Sequence, residues 1–341
     1  MSKKNIILGI ESSCDDTSAA IISNGFILSN IVANQKVHEK YGGVVPELAS
    51  RAHQQNIIPV VDTAIKEAGI KKEDLSAICF TQGPGLLGSL LVGSSFAKSF
   101  ALGMDIPLIA VNHMQGHIMA HFIKEEGTDN RQPKFPFLCL TVSGGHTQIV
   151  LVKSVENMTV IGETLDDAAG EAFDKSAKIL GLPYPGGPLI DKYGKDGDKL
   201  KFIFGKHKVG ELNFSYSGIK TSILRVIEKE VAENPNFIEE NLNDLCASIQ
   251  HTIVEILIKK IMKASKELGI NEIAIAGGVS ANSYLRIRLL EIQEKYNKQV
   301  YIPKFEYCTD NAAMIAISGY YKFLEGEFVG QSVTPKSRFK L

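Results

Sequence analysis

The order of the predicted elements indicates an α/β protein made of two similar lobes. Each half of the 341-residue chain contains the same series: a β-hairpin with a polar tip, a helical region, a strand that leads through a glycine-rich loop into a helix, then a strand and a capped helix. A repeat of this kind predicts a duplicated βββαβα-type core. Because glycine-rich turns can present backbone N–H groups to anions, we expect the two lobes to face a central nucleotide cleft.

Length and local composition suggest where the lobes divide. A chain of 341 residues suits two domains better than one small core. Residues 125–136 are polar and contain two prolines, which is typical of a linker. We therefore expect a first lobe over residues 1–130, a second lobe over 131–325 and a C-terminal tail over 326–341.

Charge, cysteine usage and hydropathy exclude several classes of protein. The formal net charge is −1, so binding of nucleic acid would need a local basic patch or a partner chain. The five cysteines contain no C-x-x-C pair, which indicates free thiols in a reducing compartment. The first strand is too short for a signal-peptide core, and no apolar run reaches the ~18 residues of a membrane span. We expect a cytoplasmic protein that does not associate with a membrane.

The first half opens with a hairpin whose tip is acidic. Strands over 5–11 and 18–22 flank a polar turn that contains Asp15 and Asp16. This carboxylate pair could orient a nucleophile or a metal, or it could only cap the turn. The remaining elements of this half are a third strand from residue 26, a helix that ends near 68, a strand over 75–81, a glycine-rich loop over 82–90, a helix that ends near 102 and a strand over 107–111.

The most informative stretch begins where that last strand ends. Asn112 is a good helix N-cap, and His113 and His117 are four residues apart, so both imidazoles would lie on one face of the helix. This geometry suits two nitrogen ligands of one divalent metal beyond the carboxyl end of a strand. The alternative is two ordinary, partly buried histidines. Met114 stands where the metallopeptidase motif H-E-x-x-H requires glutamate, which counts against a peptidase.

A third ligand would have to come from elsewhere in the chain. In the repeat, Asp310 occupies roughly the place in the second half that His113 occupies in the first. It is therefore the candidate for the missing ligand. The alternative role is simple N-capping of the following helix, which Thr309 could equally supply.

The second half contains two glycine-rich turns. Ser143-Gly144-Gly145 lies between predicted strands over 137–142 and 148–152, and it is either a phosphate cradle or only a tight turn. The segment 277–282 opens a helix after a strand over 272–276, with Asn282 as a polar contact for a nucleoside. Its alternative is an ordinary β-to-α connection. Apolar residues recur at helical spacing over 242–268, which predicts a long helix. A predicted strand over 299–303 precedes a helix that ends near 320.

Six motifs together resemble the bacterial TsaD family, the tRNA N6-adenosine threonylcarbamoyltransferases once described as O-sialoglycoprotein endopeptidases. They lie in order over almost the whole chain: GIESSCDDT from Gly9, VPELASRAH from Val45, GPGL from Gly83, NHMQGH from Asn112, SGGHT from Ser143 and GGVSAN from Gly277. The ending, residues 336–341, departs from the Trp-Pro-Leu finish that is common in the family. That departure affects only contacts of the tail.

The resemblance implies an actin/Hsp70/sugar-kinase fold, an acyltransferase activity (EC 2.3.1 class) and a set of ligands. It implies one divalent metal, usually Fe²⁺ and sometimes Zn²⁺, on residues that match His113, His117 and Asp310. It implies that threonylcarbamoyl-adenylate, or ATP, contacts Thr141, Val142, Ser143, Gly144, Gly145, Asp174, Gly187, Asp191 and Asn282. The family moves the threonylcarbamoyl group to N6 of adenosine 37 in tRNAs that read codons beginning with adenine (ANN codons), forming t6A. Its partners are TsaB, which pairs with the first lobe, the ATPase TsaE and a separate synthase that makes the adenylate.

For such a transfer the site must supply positioning and charge stabilisation, because the mixed anhydride is already activated. Asp15 or Asp16 would accept or orient the N6 proton; that role is our interpretation of the acidic pair. A small-molecule kinase or ATPase of the same fold is the alternative function.

Basic candidates for tRNA contact are Lys192, Lys195, Lys199, Lys201, Lys206, His207 and Lys208 in the second lobe, and Arg338 and Lys340 in the tail. The alternative for the second-lobe group is a solvated loop, since Asp191, Asp196 and Asp198 dilute its charge.

Overall fold

The computed structural model describes residues 4–205 and 209–341. Two compact units divide the chain: Met1–Gln132 together with Pro303–Leu341, and Pro133–Ile302. Lys206, His207 and Lys208, which the sequence suggested as tRNA contacts, lie outside the described residues.

A five-stranded mixed sheet forms the centre of the first unit. Its spatial order is β3-β2-β1-β4-β5, with β2 antiparallel to both β1 and β3, and with β4 and β5 running parallel to β1. Its strands are β1 (Ile6–Glu11), β2 (Thr17–Ser23), β3 (Phe26–Ala33), β4 (Ala77–Gly83) and β5 (Leu108–Asn112), and the helices that alternate with them are α1 (Pro46–Glu67), α2 (Leu87–Met104) and α3 (His113–Met119). The hairpin, the strands and the histidine helix are confirmed as the sequence predicted them, within a few residues.

The second unit repeats this plan. Its sheet has the order β10-β9-β6-β7-β8, with β6–β7–β8 antiparallel and with β9 and β10 parallel to β6. The elements are β6 (Phe137–Val142), β7 (Thr147–Val152), β8 (Met158–Glu163), α4 (Ala169–Ile179), α5 (Gly186–Gly194), α6 (Ser217–Glu233), α7 (Phe237–Glu240), α8 (Leu242–Leu268), β9 (Glu272–Ala276), α9 (Ser283–Tyr296) and β10 (Gln299–Tyr301). In both sheets the first strand of the unit is central and the fourth lies beside it, so the duplicated core is confirmed.

The last helix, α10 (Ala312–Glu325), returns to the first unit. This differs from the sequence-based boundary, which placed residues up to 325 in the second lobe. The physical reason is close packing of α10 on β1: a Cβ atom at Gly9 would lie 2.6 Å from both Ala312 O and Ala316 N. Only glycine allows the helix backbone to approach the strand so closely.

The central strands of the sheets are buried because helices pack on the faces of each sheet. All six residues of β1 are buried, because α1 and α2 cover one face of the sheet and α10 packs on the other. In the second unit α8 is the core helix, with Leu245, Ile249, Ile253 and Leu257 fully buried at helical spacing.

One described helix, α2, is long and apolar enough to meet the length and composition of a membrane span. A core helix of a globular fold meets the same criteria, and α2 packs against β4 and α1.

Candidate metal and adenylate sites

The histidine pair lies at the start of α3, directly after β5. Asn112 Oδ1 accepts hydrogen bonds from Met114 N at 2.9 Å and Gln115 N at 3.2 Å, so the predicted N-cap is observed. Both imidazoles are buried, His113 at 8% and His117 at 2% exposure. Their ring centroids are 4.7 Å apart. The helix therefore presents two imidazole nitrogens to one point.

Asp310 lies at that point. Its Oδ1 is 3.4 Å from His113 Nε2 and 3.3 Å from His117 Nε2. Among the described residues these three form a group whose ligand atoms all lie within 4.8 Å of one another. The competing N-cap role belongs to neither Asp310 nor Thr309, because Asn311 Oδ1 accepts from Met314 N and caps α10. Two imidazoles and one carboxylate are a donor set that fits Fe²⁺ or Zn²⁺.

Glu11, at the end of β1, supports this group and was not predicted from the sequence. The side chain is fully buried. Its Oε2 lies 3.0 Å from His113 Nδ1 and accepts from Thr81 Oγ1 at 2.6 Å, while Ser13 N donates to Oε1 at 2.5 Å. The only sequence feature that could have suggested this role is a glutamate at the end of a predicted strand.

Mutual attraction sets the charges of this group. Burial opposes ionisation of Glu11 and Asp310, but the adjacent His113 outweighs it and lowers the pKa of both carboxyls. Burial likewise opposes protonation of His113, yet Asp310 and Glu11 raise its pKa well above the usual value. The pocket thus favours a positive charge between two carboxylates, which is the environment that suits a bound cation.

The acidic hairpin tip lies in the same unit. Burial, then Asp15, Asp310 and Glu11, raise the pKa of Asp16 from 3.8 to about 7. Burial and the neighbouring Asp15 also raise the pKa of Cys14, so the Cys14 side chain is a neutral thiol rather than a thiolate nucleophile.

A histidine of the VPELASRAH motif holds this tip in place. His53 Nε2 donates to Cys14 O at 3.0 Å, and Thr17 Oγ1 is 2.8 Å from His53 Nδ1. Burial lowers the pKa of His53, which keeps the ring neutral. The sequence singled out this motif but assigned His53 no role. In the structure His53 contacts Cys14 and Thr17, on either side of the acidic pair, and so stabilises the turn.

In the second unit the Ser143-Gly144-Gly145 turn links β6 to β7. The turn is closed by Ser143 N donating to His146 O at 2.8 Å. Gly144 and Gly145 are exposed, and a Cβ at either would meet nothing within 4 Å. Gly170, at the start of α4, packs against the turn, where its own Cβ would lie 2.6 Å from Ser143 O. The turn therefore lies open beside a helix N-terminus, an arrangement that can bind an anion.

Asp174 orders the next part of this unit. Its Oδ1 accepts from Gly186 N at 2.8 Å and Gly187 N at 3.2 Å, the first residues of α5. Burial raises the pKa of Asp174, although the two backbone hydrogen bonds act to lower it. Asp174 of α4 is thus hydrogen-bonded to Gly187 at the start of α5.

Asp191 and Asn282 are joined through a residue that the sequence did not suggest. Gln250 Nε2 donates to Asp191 Oδ1 at 3.0 Å and to Asn282 Oδ1 at 3.4 Å. Ser283 Oγ also donates to Asp191, at 2.6 Å, and Asn282 caps α9 through Leu285 N. Polar side chains from α5, α8 and the start of α9 therefore form one network.

Comparison with known proteins identifies the family of this chain. A family model described as TsaD, tRNA N6-adenosine threonylcarbamoyltransferase, matches residues 26–317. A tRNA N6-adenosine threonylcarbamoyltransferase of Christiangramia forsetii is 64% identical over 334 residues, 98% of each chain. This chain belongs to the TsaD family. Another relative with that name, from Phocaeicola vulgatus, is 62% identical over 323 residues, 95% of each chain.

Solved structures place this TsaD chain in its fold class. Full-length HypF in its phosphate- and nucleotide-bound form superposes with a TM-score of 0.63 at 14% identity, covering 96% of this chain and 48% of HypF. At that identity the likeness shows the fold alone. It confirms the actin-like ATPase and kinase fold that the sequence predicted.

In this TsaD chain the structure assembles the predicted residues into two groups, one in each unit. The first contains His113, His117 and Asp310, with the acidic hairpin in the same unit. The second contains the β6–β7 turn and the Asp174 and Asp191 networks; Thr141 and Val142, at the end of β6, are fully buried beside the turn. Glu11, His53 and Gln250 are the supporting residues that sequence reasoning missed.

Proposed function

We propose that this protein transfers the threonylcarbamoyl group from threonylcarbamoyl-adenylate to N6 of adenosine 37 in tRNAs that read ANN codons, and releases AMP. The observation that carries the proposal is the 64% identity, over 98% of both chains, to a relative named for this activity. The complete His113, His117 and Asp310 group supports it. No observation favours the kinase alternative.

His113, His117 and Asp310 would hold one divalent metal, Fe²⁺ first and Zn²⁺ as the alternative. A bound ion supplies Lewis-acid chemistry toward a carbamoyl or phosphate oxygen. The chain's own contribution is to keep both Nε2 atoms and the Asp310 carboxylate aimed at one point by two independently capped helices.

Asp16 is the residue we assign to the N6 proton, with Asp15 beside it in the turn. A general base works best when its pKa lies near the operating pH, and in the metal-free protein the pKa of Asp16 is about 7. Attack by N6 on the carbamoyl carbon breaks the bond to the adenylate phosphate, and the proton leaves N6 for Asp16. The neutral Cys14 thiol supports direct transfer without a covalent enzyme intermediate.

The second unit would bind the adenylate. Open glycine amides at Ser143-Gly144-Gly145 suit its phosphate. The networks around Asp174 and Asp191, with Gly187 and Asn282, suit its nucleoside, and Thr141 and Val142 support the turn from β6.

Partners complete the proposal. A TsaB-like chain would pair with the first unit, where Ile58 of α1 and Leu87, Leu91 and Leu102 of α2 expose apolar side chains; the α2 residues form one stripe at helical spacing. A TsaE-like ATPase and a separate synthase would act with it in the cytoplasm.

The tRNA path is assigned to the tail rather than the second-unit loop. Lys201 is paired with Asp244 at 2.7 Å, and Lys199 lies over the Tyr284 ring. The tail exposes Arg338 and Lys340, together with Lys336, which lies over the Phe339 ring. Its backbone is fixed by Lys336 N donating to Gln82 O at 2.7 Å and by Asn112 Nδ2 donating to Lys340 O at 3.2 Å. Asn112 also caps the histidine helix, so the backbone of the tail at Lys340 is joined to the residue that precedes the metal group.

Depletion of the protein in its host, followed by nucleoside analysis of total tRNA, tests the proposed function. We expect t6A to fall while other modified nucleosides keep their levels, and the wild-type gene to restore it. Unchanged t6A, together with ATP-dependent phosphorylation of a small molecule by the purified protein, would support the kinase alternative.

A further inference from the structure

Glu11 contacts the only ring nitrogen of His113 that does not face Asp310. His113 Nε2 is aimed at Asp310 Oδ1, and Nδ1 lies 3.0 Å from Glu11 Oε2 and 3.2 Å from Ser13 Oγ. A neutral imidazole carries one N–H, so the partner of one nitrogen decides whether the other is free to bind a metal.

The remaining contacts of Glu11 show that it accepts, rather than donates, the hydrogen bond with His113 Nδ1. Ser13 N can only donate, and it donates to Oε1; Thr81 Oγ1 donates to Oε2. Both carboxylate oxygens therefore act as acceptors, and Oε2 has a lone pair left for His113 Nδ1–H. With the side chain fully buried, no water competes for that position.

We propose that Glu11 is a positioning residue for the metal group: by accepting a hydrogen bond from His113 Nδ1–H it fixes that proton on Nδ1 and orients Nε2 toward the ion. This rests on the proposed function only in taking His113, His117 and Asp310 as metal ligands. A carboxylate behind a histidine ligand fixes its tautomer and raises its basicity, and loss of such a partner costs 10- to 100-fold in metal affinity.

Glutamine at position 11 cannot reproduce these contacts. It has one acceptor oxygen and one NH₂ group. If the NH₂ group faces Ser13 N–H, two donors meet. If it faces His113, the ring must accept at Nδ1, and its proton moves to Nε2, the atom that the metal needs.

Zn²⁺ binding to the purified full chain, measured by competition with a chelating dye, tests the proposal. We expect Glu11→Gln to weaken Zn²⁺ binding about 10- to 100-fold while the metal-free protein keeps its thermal unfolding temperature within a few degrees. Ser13→Ala, which removes the longer contact to the same nitrogen and leaves Glu11, is the matched control and should bind Zn²⁺ within about two-fold of wild type. Equal affinity of wild type and Glu11→Gln would overturn the proposal.

Two further measurements separate positioning from simple charge and from misfolding. Glu11→Asp keeps the charge but withdraws the carboxylate by one methylene, so a positioning role predicts weakened binding, and wild-type affinity in this variant would contradict it. In the Zn²⁺-loaded wild type, nitrogen NMR should show the proton of His113 on Nδ1; a proton on Nε2 would overturn the proposal without any variant. A wild type that binds no Zn²⁺ would remove the metal centre itself, whereas equal binding by wild type and Glu11→Gln removes only the role of Glu11.

Discussion

Asp310 Oδ1 lies 3.3 Å from His117 Nε2, although the two residues are widely separated in the sequence. The contact arises because α10 packs on the face of the first sheet, next to α3. Neither residue caps its own helix, since Asn112 and Asn311 do so. The cluster can therefore be changed without undoing either helix start.

The first prediction concerns the metal. His117→Ala should remove bound metal from the purified protein and leave the fold intact, because the caps of α3 and α10 remain. Elemental analysis and thermal unfolding check both statements. His251→Ala is the control. His251 lies on α8 of the second unit, where it contacts Tyr284 of the same unit, so this variant should keep the metal. Undiminished metal in a variant with alanine at 113, 117 and 310 would refute the assignment.

The second prediction concerns pH. In the metal-free protein the pKa of Asp16 is about 7, against 3.8 for an unperturbed aspartate. The folded state therefore holds a proton that the unfolded chain releases at lower pH, so stability from this group is lost as pH rises from about 4 through 7. Asp16→Asn should raise the melting temperature, with a gain that grows over this window and then levels off.

Asp129→Asn, at an exposed aspartate of the same unit, is measured in parallel to give the effect of an Asp-to-Asn substitution at the surface. The same asparagine at position 16 should lower the transfer rate at least 100-fold, as expected for loss of a general base. A gain in stability that is independent of pH would contradict the raised pKa.

The third prediction concerns the phosphate cradle. Gly145→Val places a branched side chain in open space, so the fold should tolerate it while phosphate approach is blocked. Calorimetry with AMP or ATP should show at least a ten-fold loss of affinity. Gly103→Val, where an added Cβ also meets nothing within 4 Å, is the matched control. Normal nucleotide binding by Gly145→Val would place the cradle elsewhere.

The fourth prediction concerns tRNA. Replacing Lys336, Arg338 and Lys340 with glutamine leaves the backbone anchors of the tail in place and removes three cations. The assembled complex should bind tRNA more weakly, and its affinity should fall with salt less steeply, by about two in log–log slope. Nucleotide binding should stay unchanged.

The comparison variant for tRNA binding replaces Lys192, Lys195 and Lys199, three exposed cations at the end of α5 and directly after it, with glutamine. It should have the smaller effect. The reverse ranking would return the tRNA path to the loop, and wild-type binding by both variants across a salt series would leave the partner chains as the tRNA-binding surface.

The sequence predicted most of the fold because hydrophobic period and capping are local signals. α8 and β9 match their predicted bounds, and the Asn112 cap identified the histidine helix. β8 was missed because it lies inside a long, weakly patterned insertion. The return of α10 to the first unit was also missed, because it depends on the close approach at Gly9, which no local pattern reveals.

The candidate sites divide in the same way. Residues with a motif, such as His113 and Ser143, could be named from spacing and resemblance. Glu11 and Gln250 could not, because their importance lies in contacts across the fold: Glu11 with Thr81 and His113, and Gln250 with Asp191 and Asn282. Supporting residues of this kind become visible only when the side chains are placed.

Transfer in a defined mixture tests the central claim most directly. The purified chain, the proposed TsaB-like and TsaE-like partners, threonylcarbamoyl-adenylate and an unmodified ANN-reading tRNA are combined, and nucleosides and AMP are quantified by mass spectrometry. We predict t6A at position 37 and AMP in equal amounts, lost with His117→Ala and kept with the His251→Ala control. Equal t6A formation with and without this chain would contradict the account.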